Sequence, residues 1–249
     1  MISPLTNRPN KQFKQTPYKI QTPYKIQTPV NMSALDFTNA CIHVSTYLLC
    51  SLYFGICDFY KLHDDKKINK YPVWNDYTRA SSNVFLNLSI NFLAIAYADI
   101  THSDIELTNT LNIPIFIFIL IASDCWFYFS HRLFHVNKYL YTKYHFIHHR
   151  HIDTFAYSGF DAHPVEHIAT NLMTAVFPLI ILCQCNLTNQ YIYILWVIVS
   201  TFSVCSSHSG YAIDSLRNGI KHNIHHKRQM YNFGYGFYLC DKMMNSYRE

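Results

Sequence analysis

Charge is what this sequence has least of. Only 14% of its 249 residues are Asp, Glu, Lys or Arg, against about a quarter in soluble domains. Half are apolar and 16% aromatic, so the polar surface that a water-soluble domain needs is missing and a membrane protein is expected. No acidic residue occurs before Asp36, while Arg8, Lys11, Lys14, Lys19 and Lys25 all lie in that stretch. Beyond it 15 basic residues balance 15 acidic ones, so the net charge of +5 belongs to the tail. Such a tail suits an anionic membrane surface, and nothing suggests a nucleic-acid groove. The eight cysteines have no regular spacing and no C-x-x-C; most sit in apolar runs and read as small buried hydrophobes. Cys183 and Cys185 therefore carry little weight as metal ligands. H-E-x-x-H is absent too, which disfavours a zinc hydrolase of that type. The first thirty residues are polar, so no secretory signal peptide is expected.

Residues 1–32 hold a tandem hexapeptide, Gln15–Ile20 and Gln21–Ile26, each reading Q-T-P-Y-K-I, then a fragment. Two copies are too few for a repeat fold, and Pro at every sixth position predicts a disordered or polyproline-like tail. Residues 33–249 are expected to form one membrane domain. Five apolar stretches follow, at about 37–57, 84–99, 111–130, 168–185 and 190–207, where a span needs about 20 residues. The second is marginal because of Asn87 and Asn91. The first carries Asn39, His43 and Asp58. The fold class implied is an all-α integral-membrane bundle of four or five apolar helices.

Histidine is what the chain has in abundance. Twelve of its 15 histidines fall between 131 and 226. An i, i+4 pair, His131 and His135, ends the third apolar run; H-x-x-H-H follows at His145, His148 and His149, and again at His222, His225 and His226. A given start matches H-x-x-H-H by chance about twice in ten thousand. Positions i, i+3 and i+4 share a helix face, so each box is expected to aim its imidazoles at one point. Eight such ligands are twice what one tetrahedral zinc takes, and two metals sharing them is the natural solution. Imidazole suits iron, copper and zinc alike; a pair of fold-holding zinc ions is the bland alternative. His43, His63 and His102 read as ordinary core or surface residues. Asp124 lies two turns deeper than His131, and a carboxylate inside an apolar span is costly and usually functional; it is expected to orient a ligand imidazole.

All the boxes fall on one side by parity, since the hairpin around 184–189 separates the segment after the third run from that after the fifth. The loops 61–83, 131–167 and 208–249 carry five, four and six Lys or Arg, and 101–110 and 184–189 none. The positive-inside rule puts the histidine face, a cap carrying the di-metal site, in the cytosol. If the first stretch crosses, the basic tail falls on the opposite side, so that stretch is expected to lie partly in the interface.

At these residues the chain resembles the fatty acid hydroxylase/sterol desaturase superfamily of membrane di-iron enzymes. The likeness runs from Asp124 to the C-terminus through D-x6-H-R-x-x-H and the two H-x-x-H-H boxes. Ala162-His-Pro-Val-Glu166 resembles a segment of the sterol branch, and His208-Ser-Gly-Tyr211 one of C4-methylsterol oxidases. Tyr231-Asn-Phe-Gly234, Cys240-Asp241 and Ser246-Tyr-Arg248 are similar to the ending of sterol C5-desaturases, with Cys240 in place of Trp and Met244-Asn245 where a Gly is expected. The resemblance implies two ferrous ions, O2 as cosubstrate and oxidation of a C–H bond of a sterol or related lipid by hydroxylation or desaturation. It also implies NAD(P)H-derived electrons through a separate cytochrome b5 and its reductase, because no fused H-P-G-G segment is present, and residence in the endoplasmic reticulum. His208 joins the boxes as a ligand. The fatty-acyl hydroxylase branch has a further His where this chain has Ala212, and His163 is expected to supply a ligand instead; His151 and His167 are expected outside the ligand set. A fatty-acid or sphingolipid hydroxylase of the same superfamily is the nearest alternative. A metal transporter and a non-catalytic lipid-binding relative are alternatives of other kinds; the first is disfavoured because transport sites usually lie near the bilayer midplane.

Overall fold

In the computed structural model the described residues are 34–97, 112–187, 189–213, 218–234 and 236–249, with side chains from Phe37 onward. The predicted tail of residues 1–32, His102 and the loop 101–110 lie outside them. Among the described residues there is no β-strand, only an isolated bridge between Lys67 and Tyr211.

Among the described residues five long rods form the bundle: α1 (Ala34–Tyr60), α2 (Trp74–Tyr97), α3 (Asn112–Val136), a broken rod spanning Pro164–Gln184, and α8 (Gln190–His208). At 1.5 Å per residue, α1 and α2 are each about 35–40 Å long. Four of these rods are long and apolar enough to cross a membrane: Phe37–Tyr60, Asn112–Val136, Pro164–Gln184 and Gln190–His208. The surface is inverted relative to a soluble protein. Phe59, Phe85, Ile113, Tyr191 and Leu195 stand more than 45% exposed on the outside, while Asn87 and Asn91 of α2 are buried within. There Asn87 Nδ2 donates to the carbonyls of Phe160 and Ala162, both at 2.9 Å. Polar groups turned inward in this way remain bonded where the outside offers no water.

The first stretch, expected to lie partly in the interface, forms one of these four candidate spans. Contacts pair Asn39 with Gln190, His43 with Thr201 and Ser51 with Cys205. Residue number rises along both helices together, so α1 runs parallel to α8 and packs alongside it. The polar residues that argued for an interfacial position, Asn39, His43 and Asp58, are buried against neighbours.

The broken rod begins with α6 (Pro164–His167), passes through a π-turn (Ile168–Leu172) and continues as α7 (Met173–Gln184). Proline suits the first turn, where its missing N–H costs nothing. Pro178, inside α7, is different, because it cannot donate to the Thr174 carbonyl four residues back. Ser123 Oγ on α3 donates to that carbonyl instead, at 3.0 Å. The indoles of Trp196 and Trp126 donate to the carbonyls of Ala175 and Ala169, each at 2.9 Å.

One end of the bundle is capped. After α3 come α4 (Lys138–Leu140), a π-turn (Tyr141–His145) and α5 (Phe146–His149), then a 3-10 turn at Ala156–Phe160. After α8 come α9 (Asn218–Arg228) and α10 (Leu239–Met243). The link from α1 to α2 closes on the same cap: Ile68 N–H donates to Gly210 O and Ala212 N–H to Lys66 O, both at 2.9 Å. Lys67 Nζ, over the Tyr211 ring, pairs with Asp58 and donates to Ser209 O. Gly219 lets α9 lie against this strap, since a Cβ there would come within 2.3 Å of the Tyr211 carbonyl oxygen.

Candidate metal centre

Nine imidazoles converge under the cap in two groups. His131, His135, His145, His149 and His225 form one, and His148, His208, His222 and His226 the other; within each group, one ring nitrogen per residue lies within 4.8 Å of all the rest. Every member is buried. The eight box histidines and His208 are thus brought together.

Each box splits, against the expectation that it serves one point. His145 and His149 enter the first group and His148 the second; His222 and His226 enter the second and His225 the first. Helix geometry explains this. At about 100° per residue, i and i+4 differ by about 40° and chelate together, while i+3 points about 100° away from i+4. The i+3 member of each box therefore crosses to the other group.

The ring orientations follow from where the protons sit. His131 Nδ1 faces the Phe233 carbonyl at 2.8 Å, His225 Nδ1 that of Tyr231 at 2.7 Å, and His208 Nδ1 that of Val204 at 2.9 Å. His148 Nδ1 faces the Asp161 carbonyl at 3.3 Å, and His145 Nδ1 the Glu166 carboxylate at 2.6 Å. A carbonyl only accepts, so these Nδ1 atoms carry the hydrogens and the Nε2 atoms present lone pairs. The Nε2 atoms of both groups face one another: His148 and His208 at 3.2 Å, His135 and His145 at 2.7 Å, His135 and His225 at 3.0 Å, His149 and His225 at 3.1 Å, and His208 and His222 at 2.9 Å. His148 and His208 thus meet lone pair to lone pair, which repels unless a cation lies between them. An ion bound at about 2.1 Å separates adjacent nitrogens by about 3 Å, and the observed edges fit that. Burial, reinforced by the neighbouring imidazoles, pushes His145, His149, His222 and His226 well below the ordinary imidazole range. Burial also lowers His148 to about 4 and His225 to about 3. The rings are neutral at neutral pH, the form that ligates a metal.

His163 is a correction: it joins neither group. It caps α6 through Nδ1, which accepts from Val165 N–H at 3.2 Å, and packs on Tyr144 outside the cage. The Pro that starts the helix holds His163 in extended backbone. Asp124 also differs from expectation. Its two oxygens accept the backbone N–H groups of Tyr238 and Cys240, both at 3.1 Å, and it is the Phe233 carbonyl that orients His131. His151 and His167 stay outside the ligand set, His151 on Asp161 at 2.6 Å and His167 on Asn91 at 2.9 Å.

Several supporting groups had gone without a role in the sequence reading. Glu166 lies within a segment already conspicuous for its resemblance, and the carboxylate–imidazole contact it makes is a common device for fixing a ligand. Asp161 accepts from Asn83 and twice from Arg150, and burial is outweighed by these partners, so its carboxyl lies below the usual range. The C-terminal motif has a complete account. Asp241 accepts from Phe233 N–H, Gly234 N–H and Ser246 Oγ. Asn232 bonds Lys221 O, Arg248 O and Arg248 N–H. Asn245, where the pattern has Gly, takes a left-handed φ of 58°, which Asn tolerates better than most residues. Cys240 meets Cys125, sulfur to sulfur at 3.4 Å, with both thiols free.

The fatty acid hydroxylase family model matches residues 116–246. Sphinganine C4-monooxygenase 1 of Arabidopsis thaliana is 28% identical over 142 residues, 53% of each chain. Sphingolipid C4-hydroxylase SUR2 of Saccharomyces cerevisiae is 33% identical over 42% of this chain and 31% of the relative. C-4 methylsterol oxidase erg25 of Schizosaccharomyces pombe is 30% identical over 54% and 46%. The chain spans about half the length of the curated relatives it matches. No solved structure matches it. The matched residues begin inside α3 and run through every histidine of both groups, and on that ground the chain belongs to the fatty acid hydroxylase family.

Proposed function

We propose that this protein is a membrane oxidoreductase that uses O2 to hydroxylate or desaturate a C–H bond of a sterol or related lipid. The observation that carries the reading is the pair of histidine groups whose Nε2 atoms converge at 2.7–3.2 Å, with Nδ1 of five of the nine rings (His131, His145, His148, His208 and His225) on carbonyl or carboxylate oxygens. The nine histidines would hold two ferrous ions, which when bound supply the capacity to reduce O2 and attack an unactivated C–H bond. The chain's own work is to hold nine rings together, five of them in a fixed tautomer, keep them neutral, exclude water and place one carbon beside the cage. Asp124 and Asp241 serve as positioning residues, through the C-terminal segment whose Tyr231 and Phe233 carbonyls hold two ligands.

Electrons come from NAD(P)H through a separate cytochrome b5 and reductase. The basic loops at the capped end favour a cytosolic cap by the positive-inside rule, and the reading takes the endoplasmic reticulum as the membrane. The printed names of the Arabidopsis and yeast relatives favour a second reading, hydroxylation of a sphingolipid, which uses the same cage. The test is His148→Ala. It removes the i+3 ligand of one group, and iron content and lipid oxidation should fall together in purified protein. Retention of both defeats the assignment, and metal flux in proteoliposomes without lipid oxidation would favour transport.

A further inference from the structure

Two thiols face each other between α3 and α10. Cys125 Sγ and Cys240 Sγ lie 3.4 Å apart, and neither is in a disulfide. A disulfide brings its sulfurs to about 2.05 Å, roughly 1.4 Å closer than here. The segments that carry them are already tied together. Asp124, next to Cys125, accepts the N–H groups of Tyr238 and Cys240, both at 3.1 Å, and these bonds hold α10 against α3 while the sulfurs approach.

The pair packs in a small cluster with Tyr128 and Phe233. Phe233 is the residue whose carbonyl faces His131 Nδ1 at 2.8 Å, and His131 itself stands on α3. A bond between the two sulfurs would therefore tie the segment that orients this ring to the helix that carries it.

The two sulfurs differ in access. Cys125 is half-buried. Its i−4 and i+4 neighbours on α3, Ile121 and Phe129, are 46% and 57% exposed on the outside of the bundle, so this sulfur is approached from the lipid side. Cys240 is buried. Burial, with the Cys125 thiol and the Asp124 and Asp241 carboxylates beside it, pushes its thiol up to about 12. A thiol kept protonated is a poor nucleophile. Cys125 is thus the sulfur that meets an oxidant first, and Cys240 the one that resolves it, slowly.

We infer that Cys125 and Cys240 form a redox-modification site, where an organic hydroperoxide links the two sulfurs and the link clamps the C-terminal segment onto α3. The Cys125 sulfur takes the terminal oxygen of the hydroperoxide; the O–O bond breaks, leaving a sulfenic acid and an alcohol. The Cys240 sulfur then displaces that oxygen as water. In all, two thiols give up two electrons and two protons, and the hydroperoxide becomes alcohol and water. A dithiol reverses the link by exchange. The clamp has two effects. It closes a long loop, which restricts the unfolded chain, and it slows the loss of iron. Only the second rests on the metal reading.

The test exposes purified, iron-loaded protein to cumene hydroperoxide and maps its peptides before and after dithiothreitol. The expected product is a Cys125–Cys240 linked peptide, about 2 Da lighter than its two free halves, which dithiothreitol separates. The thermal midpoint should rise by about 5 °C, and iron should pass to a chelator about threefold more slowly. Cys125→Ala and Cys240→Ala should each abolish both responses. Where a variant fails to fold, wild-type protein alkylated with N-ethylmaleimide before oxidation supplies the same comparison. Both thiols still open to alkylation after the hydroperoxide, or a link from either to another cysteine, overturns the inference. So does a link that leaves the midpoint or the release of bound iron unchanged. Protein that links and gains stability but takes up no iron overturns only the metal reading.

Discussion

Asp124 shows how much rests on a single buried carboxylate. Its acceptance of two backbone N–H groups from the C-terminal segment keeps the Phe233 carbonyl against His131. Asp124→Asn turns one acceptor into a donor that faces a donor, at a cost of about 1–3 kcal/mol. Iron per protein should fall with little change in expression, and unchanged iron would remove Asp124 from this role. Sequence reading found the residue from its placement in an apolar run but gave it the wrong partner. A span position reveals that a charge needs satisfying; it does not reveal that residues 114 and 116 positions later come back to do it. The same holds for Asp161 and Glu166, whose partners are set by packing between segments rather than by spacing. His163 illustrates the opposite error. A conspicuous histidine beside Pro164 was better explained as a helix cap.

Among the elements, the rods were legible because apolar length is a local property, and the boxes because i+4 spacing is. The splitting of each box follows from the same 100° rotation, but it becomes visible only when two separate destinations are known. The break in the Pro164–Gln184 rod was hidden, since a π-turn leaves no mark in hydropathy. Pro178 and Ser123 make the compensation testable. Ser123→Ala strands the Thr174 carbonyl and should destabilise the protein by about 1–3 kcal/mol. In a Pro178→Ala background the restored N–H can serve that carbonyl, so Ser123→Ala should cost less there. Thermal midpoints of the four proteins of this cycle measure the coupling, and equal costs in both backgrounds refute the account.

Across the whole molecule, the parallel course of α1 and α8 brings the ends of three rods and the beginnings of two to one capped surface, and every ligand of both groups lies at that end. The polar residues of the first apolar stretch turn inward: Asn39 and His43 face α2 and α8, and Asp58 pairs with Lys67 of the link between α1 and α2. The crossing of His148 and His225 between groups carries a consequence for assembly. Because each short helix grips both positions, filling one position orders the helix that must also serve the other. On the two-iron reading, a second ion would then bind a scaffold whose ordering cost has already been met. Iron titrated into the stripped protein should load in an all-or-none manner, with half-equivalent samples holding empty and doubly occupied molecules rather than singly occupied ones, as native mass spectrometry would resolve.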